Sequence, residues 1–216
     1  SGVGLGHLRH VTSLEKLRLE KAIILGDGLK QLRSVESLRE LSLYATPTVM
    51  TDDHLSHLAT LTQLTSLSLS RATIQGQGII LLKPLNGLQS LNLMSSTITD
   101  AQLAGIASLE NLEKLDLSHT KVTDAGIAHL VPLKKLTHLD IGLNFHITNR
   151  ALEHIGTLQT LESLDLGGSR LTAQGLQPIT KLKNLRLLHL SGIVPLSSSK
   201  GSHWLNDSLP QCVLVN

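Results

Sequence analysis

Three aspartates recur at nearly constant spacing in the second half of the chain and are its most prominent candidates for chemistry. Asp116, Asp140 and Asp165 are separated by 24 and 25 residues, and each stands between two aliphatic residues. On neighbouring strands of a sheet, about 4.8 Å apart, such carboxylates would repel one another and resist ionisation. We interpret the row as a docking track for a basic segment of a protein partner. The alternative is that aspartate is frequent at this repeat position and simply faces water.

Other polar side chains accompany the aspartates at the same spacing. Lys114, His138 and Ser163 form a second row two residues earlier in each repeat, and His119 lies close by. His189 takes the place of the aspartate in the following repeat. These side chains extend the surface that a partner would contact.

The histidines raise the question of a metal site. His54 and His57 could share a helix face, but no carboxylate or cysteine completes their ligand set, which leaves His138 with Asp116 and Asp140 as the best candidate among the 11 histidines. We therefore predict neither a metal ion nor a cofactor. Histidines that recur at one place in successive return segments are explained by repeat ancestry.

A second candidate surface lies in the amino-terminal half. Tyr44, Arg71 and Met94 fall just past successive strands, beside small polar residues such as Ser68 and Asn92. Tyrosine and arginine often dominate the binding energy of interfaces, and methionine is enriched there. We predict contact with a protein partner, against the alternative that these side chains are merely exposed.

Catalytic motifs are missing from the sequence. It has no nucleophile elbow, no phosphate-binding glycine loop and no metal-protease motif. An open sheet also lacks the enclosed, water-poor pocket that shelters reactive intermediates. The prediction is a binding protein and not an enzyme.

The elements that position these residues follow from a repeated motif, leucine-x-x-leucine-x-leucine. Its nine copies begin 24 to 26 residues apart, at Leu14, Leu38, Leu64, Leu88, Leu112, Leu136, Leu161, Leu185 and Leu209. A period in the twenties with this motif indicates an α/β leucine-rich-repeat solenoid. Each repeat should add one strand to a parallel sheet on the concave side and return through a helix on the convex side.

The repeat that begins at Leu112 shows the unit most clearly. Leu115 and Leu117 alternate with polar residues, which is the period of a strand with one buried face. Asp124 stands where a helix N-cap is expected. The pair Thr51-Asp52 repeats this signal, as does Thr99-Asp100, whereas Gln75-Gly76 and Thr172-Ala173 replace it and predict weaker helix starts.

Irregular segments interrupt the pattern and divide the chain. Extra residues within 46–50 and 144–146 predict surface loops. We expect one leucine-rich-repeat domain over 1–216, in which 1–13 is a partial repeat whose preceding strand is missing. Residues 192–216 should form an irregular loop, with Trp204 packed over the final turn, followed by a capping strand.

Composition narrows the classes of partner and compartment. The 19 Lys and Arg nearly balance the 17 Asp and Glu, and only three aromatic residues occur, so a nucleic-acid-binding surface is not expected. The single cysteine, Cys212, is read as a small buried residue, and it favours an intracellular, reducing compartment. The sequence contains no apolar stretch of about 18 residues, so no membrane-spanning helix is predicted.

The run from Leu112 to Ile127 resembles the repeats of F-box substrate receptors and of their ribonuclease-inhibitor-like bacterial relatives. The resemblance covers essentially the whole chain, although Thr120 and Asn144 stand where many F-box repeats carry cysteine, which favours the cysteine-poor bacterial branch. It implies protein recognition on the concave sheet. One alternative is the substrate-recruiting arm of a ubiquitin ligase, or of a bacterial effector acting in host cytoplasm, with the catalytic part elsewhere. Another is a surface domain that serves adhesion; the oligomeric state stays open.

Overall fold

The computed structural model describes residues 2–24, 26–193 and 203–215. Nine short parallel strands form the main sheet, in the order β1-β2-β4-β6-β7-β8-β9-β10-β11. These strands are β1 (Lys16–Arg18), β2 (Glu40–Ser42), β4 (Ser66–Ser68), β6 (Ser90–Asn92), β7 (Lys114–Asp116), β8 (His138–Asp140), β9 (Ser163–Asp165), β10 (Leu187–His189) and β11 (Val213–Val215). Each repeat thus contributes one strand beside that of its neighbour, which confirms the predicted solenoid.

The strands pair without any slip in register. Leu115 of β7 pairs with Leu139 of β8, which pairs in turn with Leu164 of β9. These central leucines are at most 3% exposed, whereas the first and third residues of the strands lie on the opposite, accessible face. We call that accessible side the concave face. The alternation fixes which side chains a partner can reach, because a slip of one residue would turn every leucine outward.

The return segments on the other side of the core are short helices. The α-helices are α1 (Asp52–Ala59), α2 (Asp100–Leu103), α3 (Asp124–Ala128), α4 (Asn149–Ile155) and α5 (His203–Ser208). The 3₁₀ helices span Gly2–His10, Gly26–Ser34, Gly78–Leu82, Ala104–Ser108 and Ala173–Lys181. Helical return segments are confirmed, but many adopt the tighter 3₁₀ form, because a repeat of about 24 residues leaves room for only a short helix.

A continuous leucine core fills the space between the sheet and the return segments. In the repeat of β7 it contains Leu112, Leu117, Val122 and Ile127, each 0% exposed. Burial of aliphatic surface contributes about 25 cal/mol per Å². Because a repeat contacts only the adjacent repeats, its fold is stabilised only when those repeats are in place. In and after the first return segment, Leu5, Leu8 and Leu14 pack on this core, whereas Val11 is 43% exposed.

The turn after each strand contains a residue with a left-handed backbone. These residues share one repeat position and are Lys21, Ala45, Arg71, Ser95, His119, Leu143, Gly168 and Gly192. Most of them carry side chains although glycine adopts this conformation with least strain. The turn therefore holds Arg71 and His119 at the rim of the concave face in fixed directions.

The predicted loop at 46–50 is more ordered than a surface loop. Val49–Met50 (β3) pairs in parallel with Thr73–Ile74 (β5) and forms a second, two-stranded sheet. Thr46 and Met50 are buried. The prediction of a loop was wrong because an apolar residue in the insertion enters the core.

The carboxyl-terminal segment is also more regular than predicted. Within the expected irregular region, α5 covers His203–Ser208, and β11 is the expected final strand. Trp204 packs against the core. Cys212 is only half-buried, not buried as predicted, and burial raises the pKa of its thiol to about 11. Residues 194–202 lie outside the described residues.

Across the described ranges, every helix is too short or too polar to cross a bilayer.

Candidate protein-interaction face

The acidic row, Asp116, Asp140 and Asp165, lies in register on β7, β8 and β9, as the sequence predicts. Each carboxylate accepts the backbone N–H two residues later, at 2.8–2.9 Å. Asp116 also accepts from the Asn92 amide at 3.0 Å. The second oxygen of Asp140 has no hydrogen-bond donor among the described residues. The row is therefore fixed in direction and keeps accepting capacity at its centre.

The electrostatics of the row single out its middle member. The pKa of Asp140 is raised from 3.8 to about 6, chiefly because burial disfavours the charged form. The charges of Asp116 and Asp165 raise it as well, whereas the Gly142 N–H and His189 lower it. A cation placed over Asp140 would relieve this unfavourable charge.

The row continues into a chain of hydrogen bonds at its carboxyl-terminal end. The Nδ1 atom of His189 lies 2.6 Å from Asp165 Oδ2, and its Nε2 atom lies 2.6 Å from the Ser191 hydroxyl. Carboxylate, imidazole and hydroxyl thus occur in the order of a serine-protease triad. However, Asp116 binds the Ser118 hydroxyl at 2.6 Å in the same way without a histidine. The contact between His189 and Ser191 is therefore a feature of the repeat turn, like that between Asp116 and Ser118. The three groups also lie on an open face and not in an enclosed pocket.

A groove of about 430 Å³ runs over the acidic row. Its lining includes the second predicted row, Lys114, His138 and Ser163, whose members also pair in register. Leu187 and Val215 line the groove at its far end. Lys114, His138 and His189 thus border the groove, and the sequence reasoning missed its apolar end.

The second predicted cluster lies at the rim of the concave face and not on its strands. The guanidinium of Arg71 is 5.8 Å from the centroid of the Tyr44 ring, within the range of a cation–π contact. The backbone N–H of Arg71 donates to Met94 at 2.8 Å. We call Tyr44, Arg71 and Met94 the rim cluster. His119 lies further along the same rim, and its Nδ1 atom is 3.1 Å from Ser95 Oγ.

Of the small residues predicted beside this cluster, Ser68 lies on β4 and Asn92 on β6, in direct register. Both are half-buried. Asn92 accepts the Met94 N–H at 2.9 Å through its amide oxygen and donates to Asp116. It therefore links the rim cluster to the acidic row.

On the convex side, aspartates with the same spacing serve a different role from the one predicted. The N-cap of α3 is Thr123 and not Asp124, and Thr51 and Thr99 likewise precede α1 and α2. Asp124 instead accepts two bonds from the next repeat, from the Thr148 N–H at 2.7 Å and its hydroxyl at 2.6 Å. We call this contact the convex clasp.

The clasp recurs along the solenoid. Asp100 accepts from the N–H and hydroxyl of Thr123 at 2.8 and 2.6 Å. A β-carbon at Gly126 would collide with this carboxylate, which explains the glycine in the threonine–aspartate–x–glycine signal. Both return segments with predicted weak starts are 3₁₀ helices. Gly78–Leu82 has no side-chain cap, as predicted, but Ala173–Lys181 is nine residues long and Thr172 caps it by accepting the Gly175 N–H at 3.2 Å, so the prediction of a weak start there was wrong.

The sequence reasoning also missed a buried polar residue beneath the turns. Asn144 is 0% exposed and donates to the carbonyls of Leu117 and Ile141 at 2.8 and 2.9 Å. Its oxygen accepts from the Thr120 N–H at 2.8 Å. The insertion that predicted a loop at 144–146 thus contains an internal bridge between two repeats, and its exposed part is Phe145 and His146.

Within the part of the chain that the structure describes, no group of three histidine, cysteine or acidic residues is arranged to hold a metal ion. His138 Nδ1 lies 2.8 Å from the neighbouring Thr137 hydroxyl. The geometry of the face suits hydrogen bonding and charge pairing with a ligand.

The sheet, its leucine core and this preordered face define a leucine-rich-repeat protein. The family model described as "Zer-1-like, Leucine-rich repeats" matches residues 79–204, which is more than half of the 216 residues. The chain belongs to this family. Members of leucine-rich-repeat families are typically binding scaffolds without catalysis, and the fold supports a protein-interaction module.

Solved structures share the fold over nearly the whole chain. The internalin inlF of Listeria monocytogenes is 25% identical with a TM-score of 0.65, covering 98% of this chain and 63% of that one. The internalin inlC2 of the same organism is 22% identical with a TM-score of 0.67, covering 98% and 81%. The plant peptide hormone receptor RGFR1, determined in complex with RGF2, is 20% identical with a TM-score of 0.65, covering 98% and 33%. No curated protein sequence matches the chain.

Proposed function

We propose that this chain is a protein-interaction module that binds an extended basic segment of a partner along β7 to β10 of its concave face. The observation that carries the proposal is the in-register acidic row over an open groove. The net charge of the chain is +2, so a basic segment is attracted only where carboxylates are concentrated.

The energetics of the acidic row favour a cationic ligand. Asp140 lies between two carboxylates, and its pKa is raised chiefly by burial and further by the charges of Asp116 and Asp165. A lysine or arginine side chain would offset these charges and would donate to the second oxygen of Asp140. The backbone N–H donors at Gly142 and Gly167 hold the carboxylates in place, so little side-chain entropy is lost on binding.

The rim cluster supports a second contact region for the same partner. Arg71 and Tyr44 are held together by their cation–π contact and by the left-handed turn at Arg71. Such a preordered aromatic–guanidinium pair suits an anchoring role. In this proposal the rim cluster contributes affinity, and the acidic row selects charge and sets orientation. The RGFR1 structure in complex with RGF2 supports the general principle that this fold can hold a ligand.

The test uses a fluorescent peptide of alternating lysine and glycine as the probe. Changing Asp116, Asp140 and Asp165 to lysine should weaken its binding by about tenfold or more, because attraction becomes repulsion. The matched control changes three exposed glutamates off the sheet to lysine, with the same change in net charge: Glu36, Glu110 and Glu153. Equal loss in both variants, or unchanged affinity in the first, would refute the proposal. Circular dichroism confirms that both variants are folded.

A further inference from the structure

The carboxyl-terminal end of the concave face is apolar and exposed. Leu187 is 42% exposed, Val213 is 61% exposed and Val215 is 39% exposed. Leu187 pairs with Val213, and His189 pairs with Val215, so the three aliphatic side chains form one patch across β10 and β11. We call it the apolar end.

This patch is a local departure from the rest of the sheet. The earlier strands carry charged or small polar residues where β10 and β11 carry Leu187 and Val213: Lys16, Glu40, Ser66, Ser90, Lys114, His138 and Ser163. Leu187 lies on an interior strand, paired on both sides by β9 and β11, so its exposure does not result from a position at the sheet edge.

The apolar end and the acidic row border the same groove. Asp140, Asp165, Leu187 and Val215 all line it. Strands lie about 4.8 Å apart, so the three steps from β8 to β11 span roughly 14 Å, which an extended peptide covers in about four residues at 3.3 Å each. At the opposite end of the row, Lys114 would repel a cation, and the second oxygen of Asp140 has no donor among the described residues, so the cation is placed over Asp140.

We propose, on the basis of the proposed function above, that the apolar end binds an aliphatic side chain about four residues from the basic residue held by the acidic row. The partner segment therefore has two parts, a cation and an aliphatic residue, separated by a fixed distance. The cation meets carboxylates of opposite charge, and the aliphatic side chain covers Leu187, Val213 and Val215. The geometry fixes the spacing but not the chain direction of the segment. The basic residue can therefore come before or after the aliphatic residue in the partner's sequence.

The test extends the alternating lysine–glycine peptide by a single leucine in a glycine linker. Leucine four residues after the last lysine should tighten binding by about tenfold relative to glycine at that position, since an aliphatic side chain becomes buried. Leucine eight or twelve residues after the last lysine should give little gain, because no lysine then lies about four residues from it. Peptides of reversed sequence test both chain directions.

Paired variants separate this inference from the proposed function. Leu187→Ser with Val213→Thr should remove the gain from leucine but keep binding of the lysine–glycine peptide. The control, Ile80→Ser with Ile23→Thr, changes aliphatic residues of similar exposure (44% and 57%) away from the groove and should keep the gain.

Two failures have different meanings. If the lysine–glycine peptide binds through the aspartates but leucine adds nothing, adds equally at every spacing, or still adds after Leu187→Ser with Val213→Thr, the apolar end is not part of the site. If that peptide shows no aspartate-dependent binding at all, the proposed function fails and this inference fails with it.

Discussion

The two sides of the solenoid carry aspartates at the same spacing, yet the structure uses them differently. On the convex side, Asp100 and Asp124 each accept an N–H and a hydroxyl from the following repeat. On the concave side, Asp140 accepts one bond from its own turn and stands between two further carboxylates. Periodicity alone therefore does not distinguish a structural aspartate from a candidate binding residue. The distinction depends on whether neighbouring repeats satisfy the carboxylate.

This comparison gives a simple expectation for substitutions. A polar side chain whose bonds are satisfied across repeats should contribute to folding, and its loss should leave binding unchanged in a folded variant. A polar side chain that is left open on the groove should contribute to binding and little to stability. Three substitutions test the expectation in order of decreasing effect on the free energy of unfolding.

The largest effect is expected at Asn144, the most completely satisfied of these groups. Asn144→Ala removes the hydrogen bonds that Asn144 donates to the buried Leu117 and Ile141 carbonyls. It also removes the acceptor of the Thr120 N–H. The free energy of unfolding should fall by about 3 kcal/mol in urea denaturation. The control is Asn111→Ala, whose exposed amide donates to Asn86 and should cost less than about 1 kcal/mol. Similar losses at the two sites would contradict the importance of burial.

An intermediate effect is expected at the convex clasp. Asp124→Ala removes two hydrogen bonds to Thr148 in a partly exposed setting and should lower the free energy of unfolding by about 1–2 kcal/mol. A double-mutant cycle with Thr148→Ala measures the coupling directly. Additive losses would show that the clasp contributes nothing as a pair.

The smallest effect, with the opposite sign, is expected at Asp140. Its pKa in the folded chain, about 6, lies above the usual 3.8, so the folded state holds more protons between these values and stability falls as pH rises through this range. Asp140→Asn should remove that fall. Since partial solvent exposure screens the charge, the gain near pH 7 is on the order of 1 kcal/mol and should vanish near pH 4. Urea denaturation at the two pH values measures it, and a loss of stability near pH 7 would contradict this account.

Much of the fold could be predicted from the sequence because the leucines impose it. The alternation around Leu115 and Leu117 predicts the strand and its buried face, and equal spacing then places Asp116 beside Asp140. The return segments were less predictable. The choice between α and 3₁₀ turns depends on how much chain each repeat leaves, and the fate of Met50 depended on a gap in the core that only the assembled repeats define.

The polar contacts also divide into those that could be predicted from the sequence and those that could not. The acidic row was predictable from register, whereas the convex clasp was not, since an aspartate after threonine reads equally well as a helix cap. The clasp depends on the position of the next repeat's threonine. Glycines such as Gly126, which leave room for the carboxylate, are its trace in the sequence. The apolar end was missed because Leu187 looks like any other leucine until the pairing shows that it points outward.

The most direct test of the account compares neutral substitutions on the two sides of the solenoid. One variant changes Asp140 to asparagine, and the other changes Asp124 to asparagine. We measure the affinity of each for the lysine–glycine peptide and the free energy of unfolding of each. The account predicts that the concave variant loses affinity and keeps its stability, while the convex variant loses stability and keeps its affinity. Loss of affinity in both variants, or in neither, would contradict it.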